Sequence, residues 1–267
     1  MVARVGIFDS GVGGLSVAAA LHRLRPSIDI RYLADTAFFP YGGRSEAEVS
    51  DRTLVLAEIL MRDDIDAVVV ACNTASSAGL ERLRATFPLP IVGMEPPLKP
   101  AVEASAAHVV AVLVTPGTAK GERLARLHER FAEGARVFTL PMPGLADLVE
   151  SGEVDGPRVE ALLEAALEEP VREGIDALAL GCTHYAFLRP VLARMLPPSV
   201  RIIDASAPVA RRVVDVLTAG GVDLAGDEPA EVLCYATGDP GDLEAKIARL
   251  RAAGADLPPL RVARPVG

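Results

Sequence analysis

An internal repeat of a buried strand that ends in a cysteine is the feature that most constrains the fold of this 267-residue chain. In the first copy, residues 65–77, Ile-Asp-Ala leads into a continuous apolar run that ends at Cys72-Asn73-Thr74. Such a run is typical of a strand covered on both faces of a parallel sheet. The small polar residues that follow can cap a helix. We therefore expect Cys72 at the carboxyl edge of a sheet, where open α/β proteins bind ligands.

The second copy of the repeat lies at residues 175–184 and aligns with the first without a gap. It again reads Ile-Asp-Ala, three apolar residues, one small residue and a cysteine, here Cys182. We infer two related half-molecules, each of which presents one thiol at the end of one strand. If the two halves face each other, the two thiols share a cleft.

The remaining sequence alternates strand patterns with helix patterns, an order that is typical of parallel sheets. Ser45 with Glu48 forms a capping-box pattern that predicts the start of a helix, and residues 95–100, with three prolines in six residues, predict a linker. We predict an α/β fold of two similar domains with mainly parallel sheets flanked by helices, related by pseudo-twofold symmetry, with the active site in the interdomain cleft. The first domain is expected to be discontinuous, residues 1–96 plus 205–267, and the second to span 97–204.

Composition limits the function classes. The net charge of −9 without a basic stripe argues against nucleic acid as a partner. No apolar run approaches the roughly 18 residues of a membrane span, and the amino-terminal residues do not resemble a signal peptide, so we expect a cytoplasmic protein without a membrane partner. The cysteines number three, without a Cys-x-x-Cys motif, which disfavours a disulfide framework and a metal site.

Two thiols at equivalent strand ends suggest three kinds of chemistry. A disulfide oxidoreductase normally carries its cysteines close in sequence. A hydrolase needs one thiolate and a base, which would leave the second thiol idle. Inversion of a stereocentre needs both thiols, because one group removes a proton from one face of a carbon and the other returns a proton to the opposite face. A cysteine with a pKa of about 8.5 can serve as either acid or base.

Several polar residues are placed to assist such a reaction. Asn73-Thr74 and Thr183-His184 each follow a cysteine directly and can donate hydrogen bonds to a charged intermediate. Asp9 lies at the end of the first strand, in a turn whose glycines match a dinucleotide fingerprint only weakly. Buried structural cysteine is the alternative interpretation for each thiol, and it suits Cys234 best.

A pyridoxal phosphate enzyme needs a Schiff-base lysine. The chain has three lysines, Lys99, Lys120 and Lys246, and none lies in a recognisable pocket motif. We therefore expect a mechanism without a cofactor.

Four motifs together resemble those of the glutamate racemase family, and they occur in order along almost the whole chain. They are the turn from Asp9 to Gly14, Asp35-Thr36 with Pro40-Tyr41-Gly42, residues 71–76 around Cys72, and residues 181–185 around Cys182. The resemblance implies two α/β domains with the active site between them. It also implies interconversion of L- and D-glutamate without a cofactor, and a supply of D-glutamate for peptidoglycan synthesis, cell-wall biogenesis and cell shape. We expect a homodimer.

The resemblance also implies roles for individual residues. Cys72 would exchange a proton with the D-isomer and Cys182 with the L-isomer, and Asp9, His184 and Glu150 would assist the thiols. Gly121 departs from the family pattern, in which a serine is usual. The implied substrate contacts are Asp9, Ser10, Tyr41, Gly42, Asn73, Thr74, Thr115, Thr118, Thr183 and His184.

Three alternatives stay open at this point. A related racemase could act on aspartate or a hydantoin with the same pair of thiols. A non-catalytic protein could bind an acidic amino acid in the cleft. A cysteine hydrolase or decarboxylase could use one thiol alone.

Overall fold

The computed structural model describes residues 2–226 and 228–264, which form two parallel β-sheets with helices packed around them. The first sheet has six strands in the order β10-β9-β2-β1-β3-β4, and each neighbouring pair is parallel. Its strands are β1 (Arg4–Asp9), β2 (Asp29–Ala34), β3 (Ala67–Val70), β4 (Ile91–Gly93), β9 (Val232–Ala236) and β10 (Arg261–Ala263).

The second sheet has four parallel strands in the order β6-β5-β7-β8. Its strands are β5 (Val109–Val114), β6 (Arg136–Pro141), β7 (Ala177–Leu180) and β8 (Arg201–Ile203). The predicted α/β class with two parallel sheets is therefore confirmed. The six-stranded sheet takes strands from both ends of the chain, whereas the domain boundaries at 96/97 and 204/205 stay a prediction.

The described residues form eleven α-helices, and short 3₁₀ turns at Tyr41–Gly43 and Thr183–Leu188 add to them. The helices are α1 (Leu15–Leu24), α2 (Glu46–Met61), α3 (Asn73–Thr86), α4 (Leu98–Ala104), α5 (Pro116–Lys120), α6 (Glu122–Phe131), α7 (Leu145–Glu150), α8 (Pro157–Arg172), α9 (Arg189–Met195), α10 (Ser206–Ala219) and α11 (Pro240–Ala252).

The sequence repeat corresponds to equivalent positions in the two sheets. All residues of β3 and of β7 are buried, and β3 lies beside β1 as β7 lies beside β5. The aspartate of each copy binds the backbone at the start of that neighbouring strand. Asp66 Oδ2 accepts from the N–H of Arg4 at 2.8 Å, and Asp176 Oδ2 accepts from the N–H of Ala107 at 2.8 Å. The repeat thus fixes each cysteine at the carboxyl end of an inner strand.

One group of buried apolar residues continues from the first sheet to the second. It includes Val5 and Ile7 of β1, Leu113 of β5 and Leu180 of β7, together with residues of α1 and α10, which pack against each other. Burial of apolar surface is the main stabilising term in folding, so this shared core holds the two sheets together. The carboxyl ends of β1, β3, β5 and β7 consequently open toward the same region.

Two local predictions from the sequence, a capping box and a linker, can be compared with the structure. The predicted capping box is present, because Ser45 Oγ accepts from the N–H of Glu48 and the carboxylate of Glu48 accepts from the N–H of Ser45. The predicted linker at 95–100 is partly helical, since α4 begins at Leu98, where the position of Pro100 in the first turn needs no backbone donor. After β5 the chain forms two helices, α5 and α6, which are separated at Gly121, whose backbone is extended.

The described residues include one strand that the sequence patterns did not indicate. β10 (Arg261–Ala263) is three residues long and pairs only with β9 at the edge of the six-stranded sheet. Such a short segment has no alternation long enough to detect. Among the described residues, no helix has both the length and the apolar character needed to cross a membrane.

Close packing of α2 against α3 leads to a stability prediction. A Cβ added at Gly79 of α3 would overlap Thr53 Oγ1 of α2. We expect Gly79→Ala to lower the free energy of unfolding by about 1–3 kcal/mol, because overpacking forces the two helices apart. Urea unfolding measures the change. In a Thr53→Ala background the same substitution should cost less, and an equal cost in both backgrounds would contradict this packing.

Candidate active site

A cavity of about 260 Å³ lies where the carboxyl ends of the two sheets meet. Both Cys72 and Cys182 line it, and each is 7% exposed. All but two of the predicted site residues line it, the exceptions being Asp9 and Glu150. The lining residues predicted from sequence are Ser10, Tyr41, Gly42, Cys72, Asn73, Thr74, Thr115, Thr118, Cys182, Thr183 and His184.

Cys72 occupies the N-cap of α3. Its Sγ accepts a hydrogen bond from the N–H of Ala75 at 3.5 Å and lies 3.9 Å from Ser10 Oγ. Burial raises the pKa of the Cys72 thiol, and the nearby Asp9 carboxylate and Cys182 raise it further. At neutral pH Cys72 is therefore a protonated thiol, which can act as an acid.

Cys182 has different surroundings, because the 3₁₀ turn that follows it places the imidazole of His184 beside the sulfur. Cys182 Sγ lies 3.8 Å from His184 Nδ1, and His184 is 2% exposed. The ring of Phe39 lies against the imidazole with centroids 5.6 Å apart. The two thiols that the sequence repeat makes equivalent thus have different surroundings.

His184 is joined on its other side to Glu150, the last residue of α7. His184 Nε2 is 2.9 Å from Glu150 Oε2, which also accepts from the N–H of Val12 at 2.8 Å. Burial alone lowers the pKa of His184, but its hydrogen bonds with Cys182 and Glu150 raise that pKa well above the usual value. Burial alone raises the pKa of Glu150, but His184 and the N–H of Val12 lower it. The two pKa shifts therefore favour a protonated His184 beside an ionised Glu150. The Nδ1–H of this imidazolium is then available to Cys182.

Asp9 lies beneath the cavity rather than in its wall. Its Oδ1 accepts from Ser10 Oγ at 3.0 Å and from the N–H of Gly11 at 3.2 Å, and its Oδ2 accepts from Thr183 Oγ1 at 2.8 Å. Burial raises the pKa of Asp9, against the lowering effects of His184 and these hydrogen bonds. Asp9 is not among the residues that line the cavity, since Ser10 and Thr183 bind its carboxylate, and its direct contact with a substrate stays a prediction.

The glycines after β1 allow these side chains to approach the backbone. A Cβ at Gly11 would overlap the carboxylate of Glu150, and a Cβ at Gly13 would overlap the imidazole of His184. The weak match to a dinucleotide fingerprint therefore has another physical cause. The turn has no side chains at these positions because Glu150 and His184 fill the space.

Three threonine hydroxyl groups form a cluster in the wall of the cavity. Thr74 Oγ1 lies 3.2 Å from Thr115 Oγ1 and 3.3 Å from Thr118 Oγ1, and Thr115 Oγ1 lies 3.0 Å from Thr118 Oγ1. Thr74 lies in α3, which follows β3 of the first sheet, whereas Thr115 caps α5 and Thr118 lies in α5, which follows β5 of the second sheet. The cluster therefore joins the two sides of the cavity and offers hydroxyl donors to an anion.

Asn73 is the clearest indication that the cavity takes a polar ligand. It lines the cavity and is buried, yet neither its Oδ1 nor its Nδ2 has a hydrogen-bond partner among the described residues. A buried amide without partners is unfavourable by about 1–3 kcal/mol. A bound polar molecule or water can satisfy it.

Tyr41 is held from behind the cavity. Its hydroxyl donates to Asp35 Oδ2 at 2.6 Å, and Arg52 Nε donates to the same oxygen at 2.8 Å. Burial, followed by the charge of Asp35, raises the pKa of Tyr41. The hydroxyl is thus engaged with Asp35, while Gly42 lies beside Thr115 across the cleft.

Sequence reasoning missed other contributors to the site. Phe39 and Met142 line the cavity, and Lys246 contacts Glu150 from α11. The two aromatic residues in the loop after β2 were a usable signal for Phe39, whereas nothing local marks Met142 or Lys246. Over the described part of the chain, the cavity lining contains neither lysine nor arginine, and no cluster of three or more His, Cys, Asp or Glu residues could hold a metal ion.

Residues 15–213 match the Asp/Glu/Hydantoin racemase family. The match covers well over half of the chain, so the chain belongs to this family. Its fold and this family membership define it as an amino-acid racemase, an isomerase.

Within the family, the chain is similar to proteins named glutamate racemase. It is 45% identical to the glutamate racemase of Deinococcus radiodurans over 94% of this chain and 88% of that protein. The resemblance to glutamate racemase found from sequence motifs is thereby confirmed.

Solved structures agree with this assignment. The crystal structure of Escherichia coli glutamate racemase in complex with L-glutamate and the activator UDP-MurNAc-ala has a TM-score of 0.84 at 31% identity and 99% coverage of both chains. That of Francisella tularensis glutamate racemase in complex with D-glutamate has a TM-score of 0.82 at 25% identity, covering 100% of this chain and 98% of that one.

The surroundings of Cys72 predict its reactivity. Because its pKa is raised, we expect its alkylation by iodoacetamide to keep increasing about tenfold per pH unit beyond pH ~8.5, where an unperturbed thiol levels off. Mass spectrometry of the Cys72 peptide measures the rate. Asp9→Asn should shift the rise to lower pH, since it removes one of the negative groups beside the sulfur. A plateau near pH 8.5 in the unsubstituted protein would contradict the assigned environment.

Proposed function

We propose that this protein interconverts L- and D-glutamate without a cofactor, with Cys72 and Cys182 as the acid and base on opposite faces of Cα. The observation that carries the proposal is that both thiols line one cavity, each at the carboxyl end of an inner parallel strand. The choice of glutamate as substrate rests on the names of the relatives, and the proposed acid and base rest on the two thiols in the cavity.

The proton balance of the reaction needs one thiol and one thiolate. From L-glutamate, the Cys182 thiolate takes the Cα proton, and the electron pair moves into the α-carboxylate as a planar intermediate. The Cys72 thiol then gives its proton to the opposite face of Cα, which yields D-glutamate and a Cys72 thiolate. From D-glutamate the two sulfurs exchange roles.

The buried charges around Cys182 support its role as the base for the L-isomer. A protonated His184 can donate through Nδ1 to the sulfur, and a positive neighbour favours a thiolate. Glu150 compensates the imidazolium charge at 2.9 Å. The raised pKa of Cys72 suits the complementary role of acid in the same direction.

Asp9 prepares an acceptor site for the substrate ammonium. Both Ser10 Oγ and Thr183 Oγ1 donate their protons to the Asp9 carboxylate. Thr183 Oγ1 then keeps its lone pairs for an ammonium group in the cavity, and Ser10 Oγ keeps one besides the bond that it accepts from the Cys72 thiol. Asp9 therefore helps to bind the substrate ammonium through these two hydroxyls, and its negative charge lies behind them.

Neutral donors hold the two carboxylates of the substrate. The first N–H groups of α3 have no partner within the helix, and a helix N-terminus favours an anion. The unpartnered amide of Asn73 and the hydroxyl cluster of Thr74, Thr115 and Thr118 add further donors. Preorganised donors of this kind also stabilise the charge that develops on the α-carboxylate when the proton leaves.

The proposed reaction also implies a role for the protein in the cell. We propose that its D-glutamate product supplies peptidoglycan synthesis, and with it cell-wall biogenesis and cell shape, and that the protein works in the cytoplasm as a homodimer. The activator named for the E. coli relative, UDP-MurNAc-ala, contains a sugar of peptidoglycan and supports the proposed link to peptidoglycan synthesis.

The first prediction concerns the reaction itself. Purified protein without added cofactor should bring the circular dichroism of L-glutamate and of D-glutamate to zero, since the equilibrium mixture is racemic. Aspartate should change far more slowly. Loss of ellipticity from aspartate but not from glutamate would reassign the substrate. No change with either, together with no deuterium at Cα in heavy water, would indicate a binding protein.

The second prediction concerns the two thiols. Cys72→Ser and Cys182→Ser should each lower racemisation by roughly 10²–10⁴-fold, because a serine hydroxyl is a poor acid and base at neutral pH. Cys234→Ala, which changes the cysteine in β9 outside the cavity, is the control and should keep activity.

Deuterium exchange at Cα separates the roles of the two thiols. Cys72→Ser should still exchange the Cα hydrogen of L-glutamate, and Cys182→Ser that of D-glutamate. Full racemisation by either variant, or equal loss of exchange from both isomers in both variants, would refute the assignment.

A further inference from the structure

A lysine far from the cavity in sequence holds the carboxylate behind the histidine. Lys246 Nζ lies 3.1 Å from Glu150 Oε1 and 2.9 Å from Asp242 Oδ2, one turn earlier on α11. The Lys246 side chain is 16% exposed and that of Glu150 is 5% exposed. The ion pair with Glu150 is thus largely removed from solvent, where charges interact more strongly than on the surface.

The two oxygens of Glu150 have separate partners. Oε2 accepts from the N–H of Val12 and faces His184 Nε2, whereas Oε1 contacts Lys246. A carboxylate held at both oxygens cannot rotate without losing one of these contacts. Glu150 also ends α7, where the helix dipole disfavours a negative charge, so the ammonium of Lys246 offsets that cost.

The contact joins parts of the molecule that belong to different sheets. α11 packs on β9 and β10 of the six-stranded sheet, whereas α7 follows β6 of the four-stranded sheet. A second contact of α11 in the same place is the hydrogen bond from Arg249 Nη1 to the carbonyl oxygen of Ser151 at 3.0 Å. Arg249 anchors the backbone after Glu150, whereas Lys246 holds its carboxylate.

We propose that Lys246 is a positioning residue for proton transfer at Cys182. It fixes Glu150, Glu150 fixes the imidazole of His184, and His184 Nδ1 stays at the sulfur of Cys182. This inference rests on the proposed function, because it gives Lys246 a part in the same reaction.

The kinetic test separates charge from packing. Lys246→Met keeps most of the side-chain volume but removes the charge, so we expect kcat for glutamate to fall roughly tenfold with KM changed less than about twofold. Lys246→Arg should recover most of the loss. Arg249→Met is the comparison variant on the same helix: it removes the bond to the Ser151 carbonyl but no bond of the Glu150 carboxylate, so we expect a smaller loss of kcat than in Lys246→Met. Equal losses in Lys246→Met and Arg249→Met would show a general docking role of α11 and overturn the proposal.

A double-mutant cycle tests the route through Glu150. In a Glu150→Gln background, Lys246→Met should cause no further loss of kcat, because the carboxylate on which Lys246 acts is already gone. A loss that multiplies with that of Glu150→Gln would mean that Lys246 acts elsewhere, which would overturn the proposal.

Alkylation of Cys182 gives a readout that does not depend on the substrate. A misplaced imidazolium favours the thiolate less, so Lys246→Met should slow iodoacetamide modification of Cys182 severalfold and leave that of Cys72 unchanged, as measured on the separate peptides. An unchanged Cys182 rate would refute the inference. If wild-type protein fails to racemise glutamate while Lys246→Met still slows the modification of Cys182 relative to wild type, the proposed function is overturned, but the effect of Lys246 on Cys182 through Glu150 and His184 is supported.

Discussion

The proposed reaction requires two thiols at one cavity, and in this structure each thiol follows a separate strand that ends there. The carboxyl ends of parallel strands lie at one edge of a sheet, so each sheet contributes one cysteine directly after an inner strand. The shared apolar core between the sheets keeps those edges facing each other. The same arrangement brings Thr74 of one sheet to Thr115 and Thr118 of the other. The fold thus builds the cavity from matching positions of an internal repeat.

The repeat is symmetric in backbone but not in charge. Cys72 accepts from a backbone N–H and lies above Asp9, whereas Cys182 lies beside the buried pair of His184 and Glu150. A buried charged pair is tolerated only when its members are paired and hydrogen-bonded. Val12 and Lys246 supply those further bonds to Glu150, and the glycines at 11 and 13 leave space for the two side chains. The two thiols therefore lie in different electrostatic surroundings, although the backbone positions that carry them are equivalent.

Much of this arrangement could be predicted from the sequence, because the strong signals are local. The apolar runs before Cys72 and Cys182 identify inner parallel strands, and the Ser45–Glu48 pattern identifies a helix start. Weak or distant signals were missed. β10 is three residues long, α4 begins within a proline-rich segment, and Lys246 meets Glu150 across 96 residues of chain. The position of Asp9 at a strand end predicts a group near the cleft, but it could not show that Ser10 and Thr183 bind the carboxylate and lie between it and the cavity.

Tracking hydrogen at Cα tests the opposed pair of sulfurs most directly. L-glutamate is converted in heavy water and analysed by NMR and chiral chromatography before more than a small fraction has reacted. If two thiols, each with one proton, lie on opposite faces of Cα, the D-glutamate that forms should carry deuterium at Cα. The remaining L-glutamate should keep its own hydrogen. D-glutamate that retains the original hydrogen, or deuterium that enters L-glutamate as fast as D-glutamate forms, would mean that a single group serves both faces and would contradict this account.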